Sequence, residues 1–378
     1  MEHIEVYRRE GRYCGWPANY GIWSWGNEIV VGFTLAYHMR KEGALVEGSG
    51  LHPRDPTRAP VTMQARSTDG GRSWRVRGTP APTPGGRSIS ADEHIDAELF
   101  EELHIGAVFD GPNGPVEHPG GINFDHPDLG LLVARTGTAR RFPGRSWFYI
   151  TRDRGVHWQG PYHLPQFGYD QVTARTDYVV ENDRECLLFL SAMHGPPLDD
   201  QPAASSSDIA ESDVICVRAT DWGGDFEYVG TVTEGAIMPA SVQLADGSLL
   251  SSVRRSNRID LFASADGGKT WHHRATPAED MGGNPPTLTR LQDDRLCITY
   301  GYRGDVDPGI RATISDDSGQ TWTDPIILRD DGGTPDLGYP RTVERPDGTI
   351  VTVYYFNDAP ASERYIGATL WNPEAVQS

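Results

Sequence analysis

Short apolar runs interrupted by tight-turn pairs recur along the chain, and they set the first expectation. Trp23–Val31 reads as strand, turn, strand around Gly26-Asn27. The same pattern returns at Tyr178–Leu188 around Asn182-Asp183, Val242–Leu250 around Asp246-Gly247, Leu291–Ile298 around Asp293-Asp294, and Val343–Val351 around Asp347-Gly348. Gly, Asn or Asp between apolar runs supplies the positive φ and local hydrogen bonds of a hairpin turn. No apolar stretch reaches the roughly 18 residues needed to cross a bilayer. His94–His104 has apolar positions at helical spacing and predicts a short helix on a connection.

A second pattern alternates with the hairpins. S/T-x-D-x-G-x-x-W occurs at Ser67–Trp74, Thr151–Trp158, Ser264–Trp271 and Ser315–Trp322, and Ala219–Phe226 keeps its Asp and Gly with Phe for Trp. In such a turn the Asp side chain accepts backbone amides, Gly takes positive φ, and Trp opens the next strand against the sheet. These aspartates read as folding devices rather than catalysts. The repeating unit is therefore strand, hairpin turn, strand, connection, strand, box, strand, which is a four-stranded propeller blade. The expected fold is all-β: one six-bladed β-propeller of four-stranded antiparallel sheets spanning residues 1–378. The segment His3–Tyr13 supplies the last outer strand. Seven blades stay open, because Gly86–Asp128 has room for further strands.

Composition changes this picture little. Gly (43) and Pro (28) are abundant, as many turns require. The net charge of −19 argues against nucleic acid and anionic membrane as partners, while leaving a local arginine pocket for an acidic ligand. Cys14, Cys186, Cys216 and Cys297 lie far apart without a CxxC pair, which predicts buried thiols and neither disulfides nor zinc. The first residues carry no signal-peptide pattern, so the chain as written reads as cytoplasmic, or as secreted or periplasmic had a leader been removed.

Residues placed a similar distance after each hairpin turn should form a ring at one end of the propeller. They are His38, His194, Arg254, Arg255, Arg303 and Asn357. Singly, each reads as a surface side chain; as a set, two histidines and several arginines read as a pocket. Pro-containing starts of inner strands face the same end: Trp16-Pro17 with Tyr20, Met238-Pro239, Asn284-Pro285 and Tyr339-Pro340-Arg341. There Trp16, Tyr20 and Tyr339 offer stacking faces for a sugar, and Arg341 a planar fork for a carboxylate. His118, Asp125, His126 and Asp128 offer metal-binding side chains without a recognisable ligand spacing, so no metal or other cofactor is expected.

The boxes, together with LADGSLLSSVRR before the third and GYPRTVERPDGTIVTVYY near the end, resemble the sialidase or neuraminidase superfamily over nearly the whole chain. That resemblance implies cleavage of a terminal acidic sugar from a glycan. It also implies three arginines on the substrate carboxylate, a Tyr–Glu nucleophile pair and an Asp acid. Trp16 stands where the first arginine is expected. Arg254 or Arg255 matches the second, and Arg341 or Arg303 the third. Tyr339 or Tyr354 matches the nucleophile, Glu234 its partner, and Asp55 the acid. Two other readings stay open. One is a polysaccharide lyase acting at a uronic acid, with His38 or His194 as base and arginine as neutraliser. The other is a glycan-binding propeller without catalysis. All three take an acidic oligosaccharide or polysaccharide as partner.

Overall fold

The computed structural model describes residues 1–41, 43–45, 52–55, 57–58, 60–81, 114–135, 144–195 and 209–376. These residues form six antiparallel sheets in a ring, a six-bladed β-propeller. The predicted helix at 94–104, and much of the stretch that left a seventh blade open, lie outside the described residues.

Blade 1 has an inner strand in two pieces, Arg12–Gly15 and Ile22–Trp25, followed by Glu28–Tyr37, Val61–Ser67 and Arg75–Gly78. Among the described residues blade 2 has three strands, Gly130–Arg135, Ser146–Thr151 and Gln159–His163. Blade 3 again splits its inner strand, Gln171–Val172 and Tyr178–Val180, before Cys186–Met193, Ser212–Thr220 and Asp225–Glu234. Blade 4 is Ile237–Gln243, Leu249–Arg254, Ile259–Ser264 and His272–Ala278. Blade 5 is Thr287–Arg290, Leu296–Tyr302, Gly309–Ser315 and Ile326–Arg329. Blade 6 is Gly338–Glu344, Ile350–Phe356 and Tyr365–Trp371, completed by Glu2–Tyr7, which pairs with Tyr365–Trp371. The ring thus closes as expected, although the 3–13 segment divides: its first part serves blade 6, and from Arg12 the chain already belongs to blade 1.

Second strands are buried on both faces, as in Cys186–Met193 and Ile350–Phe356, because neighbouring blades pack face to face. That is why they read as continuous apolar runs instead of alternating ones. Blade 2 meets its inner edge differently. The Thr176 hydroxyl, from the break in blade 3's inner strand, receives the Val133 amide at 3.0 Å and so occupies an edge that a fourth strand would otherwise pair.

The boxes close as their chemistry requires. In the last one, Asp317 Oδ1 accepts the amides of Gln320 and Thr321, its Oδ2 accepts the Thr321 hydroxyl, and Ser315 Oγ receives the Gly319 amide. Trp322 Nε1 then donates to the Gly319 carbonyl. The boxes at Asp69 and Asp266 repeat this set. The Asp153 box differs: its Oδ1 accepts the His157 amide, its Oδ2 faces His157 Nδ1 at 2.7 Å in place of a hydroxyl, and Trp158 Nε1 donates to Gln64 of blade 1 and stitches two blades together. The Ala219–Phe226 copy is a different turn, with Asp221 and Trp222 both at positive φ.

Candidate functional site

In each four-stranded blade, the start of the inner strand, the link from second to third strand and the exit of the outer strand share one end of the sheet. The hairpin and box turns lie at the other. The functional end is therefore built from residues just before inner strands and just after second strands.

At that end, between blades 5, 6 and 1, sits a buried carboxylate. Asp336 lies in the connector leading to blade 6, and its side chain is 1% exposed. Its Oδ1 is 2.6 Å from His52 Nδ1 and accepts the Tyr355 hydroxyl at 2.9 Å, while Oδ2 accepts Arg364 Nε at 2.8 Å. The Tyr13 hydroxyl reaches both oxygens at 3.2 and 3.3 Å and stands 3.1 Å from His52 Nδ1. Burial alone would push the carboxyl pKa up. His52, Arg364 and Arg303 outweigh it and hold Asp336 well below its ordinary value. For Tyr13, burial and the Asp336 charge act together and push the phenol well up, so it stays protonated.

Three further groups extend the cluster toward blade 4. Arg303 Nη2 donates to the Tyr355 hydroxyl at 2.7 Å, and its guanidinium lies 5.5 Å from the centre of the Tyr339 ring. Arg254 Nη1 donates to the Tyr339 hydroxyl at 3.1 Å. Trp16 covers the other side, with its ring centre 5.0 Å from both Tyr13 and His52. Three arginines, three phenols, an imidazole and a carboxylate from four blades thus meet at one place.

The backbone explains how these side chains converge. Trp16, Met238 and Tyr339 have φ of 59°, 56° and 50°, and each precedes a proline. A bulky residue at positive φ ahead of proline is doubly disfavoured, at about 1–3 kcal/mol for the left-handed conformation alone. In blades 4 and 6 the strained residue sits in a register shift, between Ile237 and Ala240 and between Gly338 and Arg341. In blade 1 it opens the turn Pro17–Asn19 that breaks the inner strand. The three side chains pack in one buried cluster with Tyr13 and Tyr355.

The residues singled out from sequence fall into three groups. Trp16, Arg254, Arg303 and Tyr339 lie together in the cluster. His38 flanks it, its ring centre 6.4 Å from that of Tyr13, with Nδ1 on the Met39 carbonyl. Asp55 is in the neighbouring blade 1 loop, where its carboxylate accepts the Thr57 amide at 3.0 Å and hydroxyl at 2.6 Å. The others are elsewhere. His194 is exposed on blade 3, stacked on Tyr169 at 4.3 Å. Arg255 pairs with Asp260 at 2.6 Å and donates to the Glu234 carbonyl, while the Glu234 residue itself is exposed. Tyr20 is buried in blade 1 on Thr34, and Tyr354 is buried on Thr369. Asn357 is wholly buried and braces the Asp336 connector by donating to the Thr334 and Asp336 carbonyls.

Arg341 points into the central channel. Its Nη2 donates to the Ala18 and Thr176 carbonyls, both at 2.6 Å. Burial lowers its pKa, and the charge of Asp177 opposes the shift. Asp177 accepts the Ser241 amide and hydroxyl at 3.1 and 2.8 Å, and burial raises its pKa to about 6 in spite of Arg341. These groups plug the axis beneath the mouth.

Sequence reasoning missed Tyr13, His52, Asp336, Tyr355 and Arg364. The ring of positions after second strands samples only one kind of link. Asp336 lies in an outer-to-inner connector, three residues before the already suspected Tyr339, and that adjacency was the available signal. Several buried polar atoms around the mouth have no protein partner: His38 Nε2, Arg54 Nη1, Arg254 Nε and Asn357 Oδ1. Outside the cluster, a cleft of about 680 Å³ is lined by Gly235, Arg255, Asn257, Arg258 and Asp280. His118 and His126 spend their Nδ1 atoms on the Gly120 and Asp128 amides, and Asp128 pairs with Arg154. Among the described residues no group of three or more His, Cys, Asp or Glu is placed to hold a metal, and no helix is long and apolar enough to cross a membrane.

No protein-family profile and no curated protein matches the sequence. Solved structures do. A protein of unknown function from Dyadobacter fermentans is 21% identical, with 98% of this chain and 97% of that one covered, at a TM-score of 0.68. A Hadza microbial sialidase is 13% identical, covering 97% of this chain and 66% of its own, at 0.63. An α-L-arabinofuranosidase from Fusarium graminearum is 11% identical, covering 100% and 99%, at 0.57. At these identities the likeness concerns the propeller itself.

Proposed function

We propose that this propeller is a glycoside hydrolase that removes a terminal acidic sugar from an oligosaccharide or polysaccharide, with residues 1–378 acting as one catalytic unit. The observation that carries the reading is the convergence of Arg254, Arg303 and Tyr339 from three blades on one point of the mouth. Guanidinium groups recognise a carboxylate bidentately and a tyrosine is an established nucleophile in this chemistry. A sialidase and an arabinofuranosidase among the structural neighbours support glycoside hydrolysis as the reaction class.

In this reading Arg254 and Arg303 take the substrate carboxylate, and the buried Trp16 backs the site by packing on Tyr13 and His52. Tyr339, whose hydroxyl accepts Arg254 Nη1, attacks the anomeric carbon and gives its proton to water. The acid that protonates the departing oxygen comes from the blade 1 loop. Replacing Arg254 or Arg303 by Met should lower kcat/KM about 10- to 150-fold, the worth of one charge-assisted hydrogen bond.

The test is incubation with a panel of sialosides and uronate-containing glycans, read by mass spectrometry and ultraviolet absorbance. A product that has gained water supports hydrolysis. An unsaturated uronate would instead establish β-elimination, a second reading favoured by the His52–Asp336 pair, since an imidazole held by a carboxylate suits abstraction of a carbon-bound proton. Glycan binding without turnover would leave a lectin-like propeller.

A further inference from the structure

The blade 1 loop brings two candidate proton carriers to the mouth, and their surroundings differ. The Asp55 carboxylate is committed to its own loop through the amide and hydroxyl of Thr57. His52 is committed to the cluster. Its Nδ1 lies 2.6 Å from Asp336 and 3.1 Å from the Tyr13 hydroxyl, and its ring meets Trp16 edge to face at 83°. Asp336 is itself fixed by Arg364, Tyr355 and Tyr13. Tyr13, Tyr355 and Arg364 are fully buried, whereas the His52 side chain is 21% exposed. A proton exchanged between the carboxylate network and a bound substrate therefore has His52 as its surface terminus.

From this geometry we infer that His52, oriented by Asp336, is the general acid and base of the cleavage, and that Asp55 shapes the loop. The inference rests on the hydrolytic reading above. In the first step the Tyr339 oxygen bonds to the anomeric carbon while protonated His52 gives its proton to the glycosidic oxygen, whose bond to that carbon breaks. In the second, water adds to the anomeric carbon, the bond to Tyr339 breaks, and neutral His52 takes the proton that the water loses. One water is consumed and the imidazole returns to its starting state. Asp336 is a positioning residue: it fixes the tautomer, with Nδ1–H toward the carboxylate and Nε2 as the working nitrogen. Among the described residues, the charged and titratable groups facing His52 include Tyr13 from blade 1, Asp336, Tyr355 and Arg364 from blade 6, and Arg303 from blade 5 through Tyr355.

The experiment compares wild type with H52Q, H52G and D55N on whichever acidic sugar the panel shows to be cleaved. Each is assayed as an oligosaccharide with a poor alkyl leaving group and as its 2,4-dinitrophenyl glycoside, whose departure needs no acid. H52Q should lose about 10²–10⁴-fold in kcat/KM on the oligosaccharide. On the dinitrophenyl glycoside kcat/KM should stay within about tenfold of wild type, and the alkaline limb of the pH profile should vanish. H52G should recover turnover on addition of imidazole, and D55N should retain the wild-type dependence on leaving group. A merely structural role for His52 would lower both substrates alike and give no rescue. Equal losses, absent rescue, or a leaving-group effect in D55N instead of H52Q each overturns the inference while hydrolysis stands. No hydrolysis of any panel member by wild type overturns the proposed function and this inference together.

Discussion

The molecule buries two aspartates near its axis, and they respond to burial in opposite ways. Asp336, at the mouth, is pushed up by desolvation and pulled down further by His52, Arg364 and Arg303, so it is an anion. Asp177, in the channel plug, is pushed up by the same desolvation to about 6, because the distant Arg341 and the neutral donors of Ser241 only partly compensate. Both are buried; the number and charge of the partners differ. Charged donors in contact fix protonation, whereas neutral donors leave it adjustable.

The largest expected effect is at the mouth. Asp336→Ala strands buried Arg364 without its carboxylate and should cost about 3–5 kcal/mol in urea denaturation, whereas Asp177→Asn at pH 5 should cost far less. A destabilisation of similar size for both would erase the contrast. Next comes the pH dependence of stability. Asp177 binds a proton more tightly folded than unfolded, so stability should fall by on the order of 3 kcal/mol as pH rises from about 4 to about 6. Asp336 has the opposite sign: its contribution is present above about 4, the unfolded carboxyl value, and fades as pH falls below it. Asp177→Asn should flatten the first limb and leave the second. The smallest effect belongs to the rim. The half-buried Asp317, held at about 2 first by the Thr321 hydroxyl, caps one box, and Asp317→Ala should lose about 1 kcal/mol with no change in turnover.

Most of the fold was legible because it is written locally. Asp-Gly and Asn-Asp pairs fixed hairpins, Ser, Asp, Gly and Trp fixed the box turns, and their alternation counted the blades. What was harder to read depends on contacts across the ring. At the inner edge of blade 2 the Val133 amide donates to Thr176, a residue of another blade, which no local pattern announces. At the mouth, Arg254, Arg303, Tyr339 and Trp16 were accessible through their place relative to turns. Arg364 and Asp336 were not, since a lone arginine at a strand start and an aspartate in a Gly- and Pro-rich connector look like surface residues until packing joins them. Arg341 shows the converse: an arginine at an inner-strand start can serve the channel as readily as the mouth.

The pairing of Glu2–Tyr7 with Tyr365–Trp371 also bears on how the ring comes to exist. His3 and Thr369, joined side chain to side chain, are 366 residues apart. During synthesis at about 5–20 residues per second the first of them must wait on the order of tens of seconds for the second. Throughout that interval the nascent arc has an unpaired sheet edge at one end and a loose strand at the other, each a template for a wrong neighbour. Moving the opening of the chain by circular permutation to the link between blades 5 and 6 would make this pairing early and local. Such a permutant should close its ring faster, at the expense of a new late seam elsewhere.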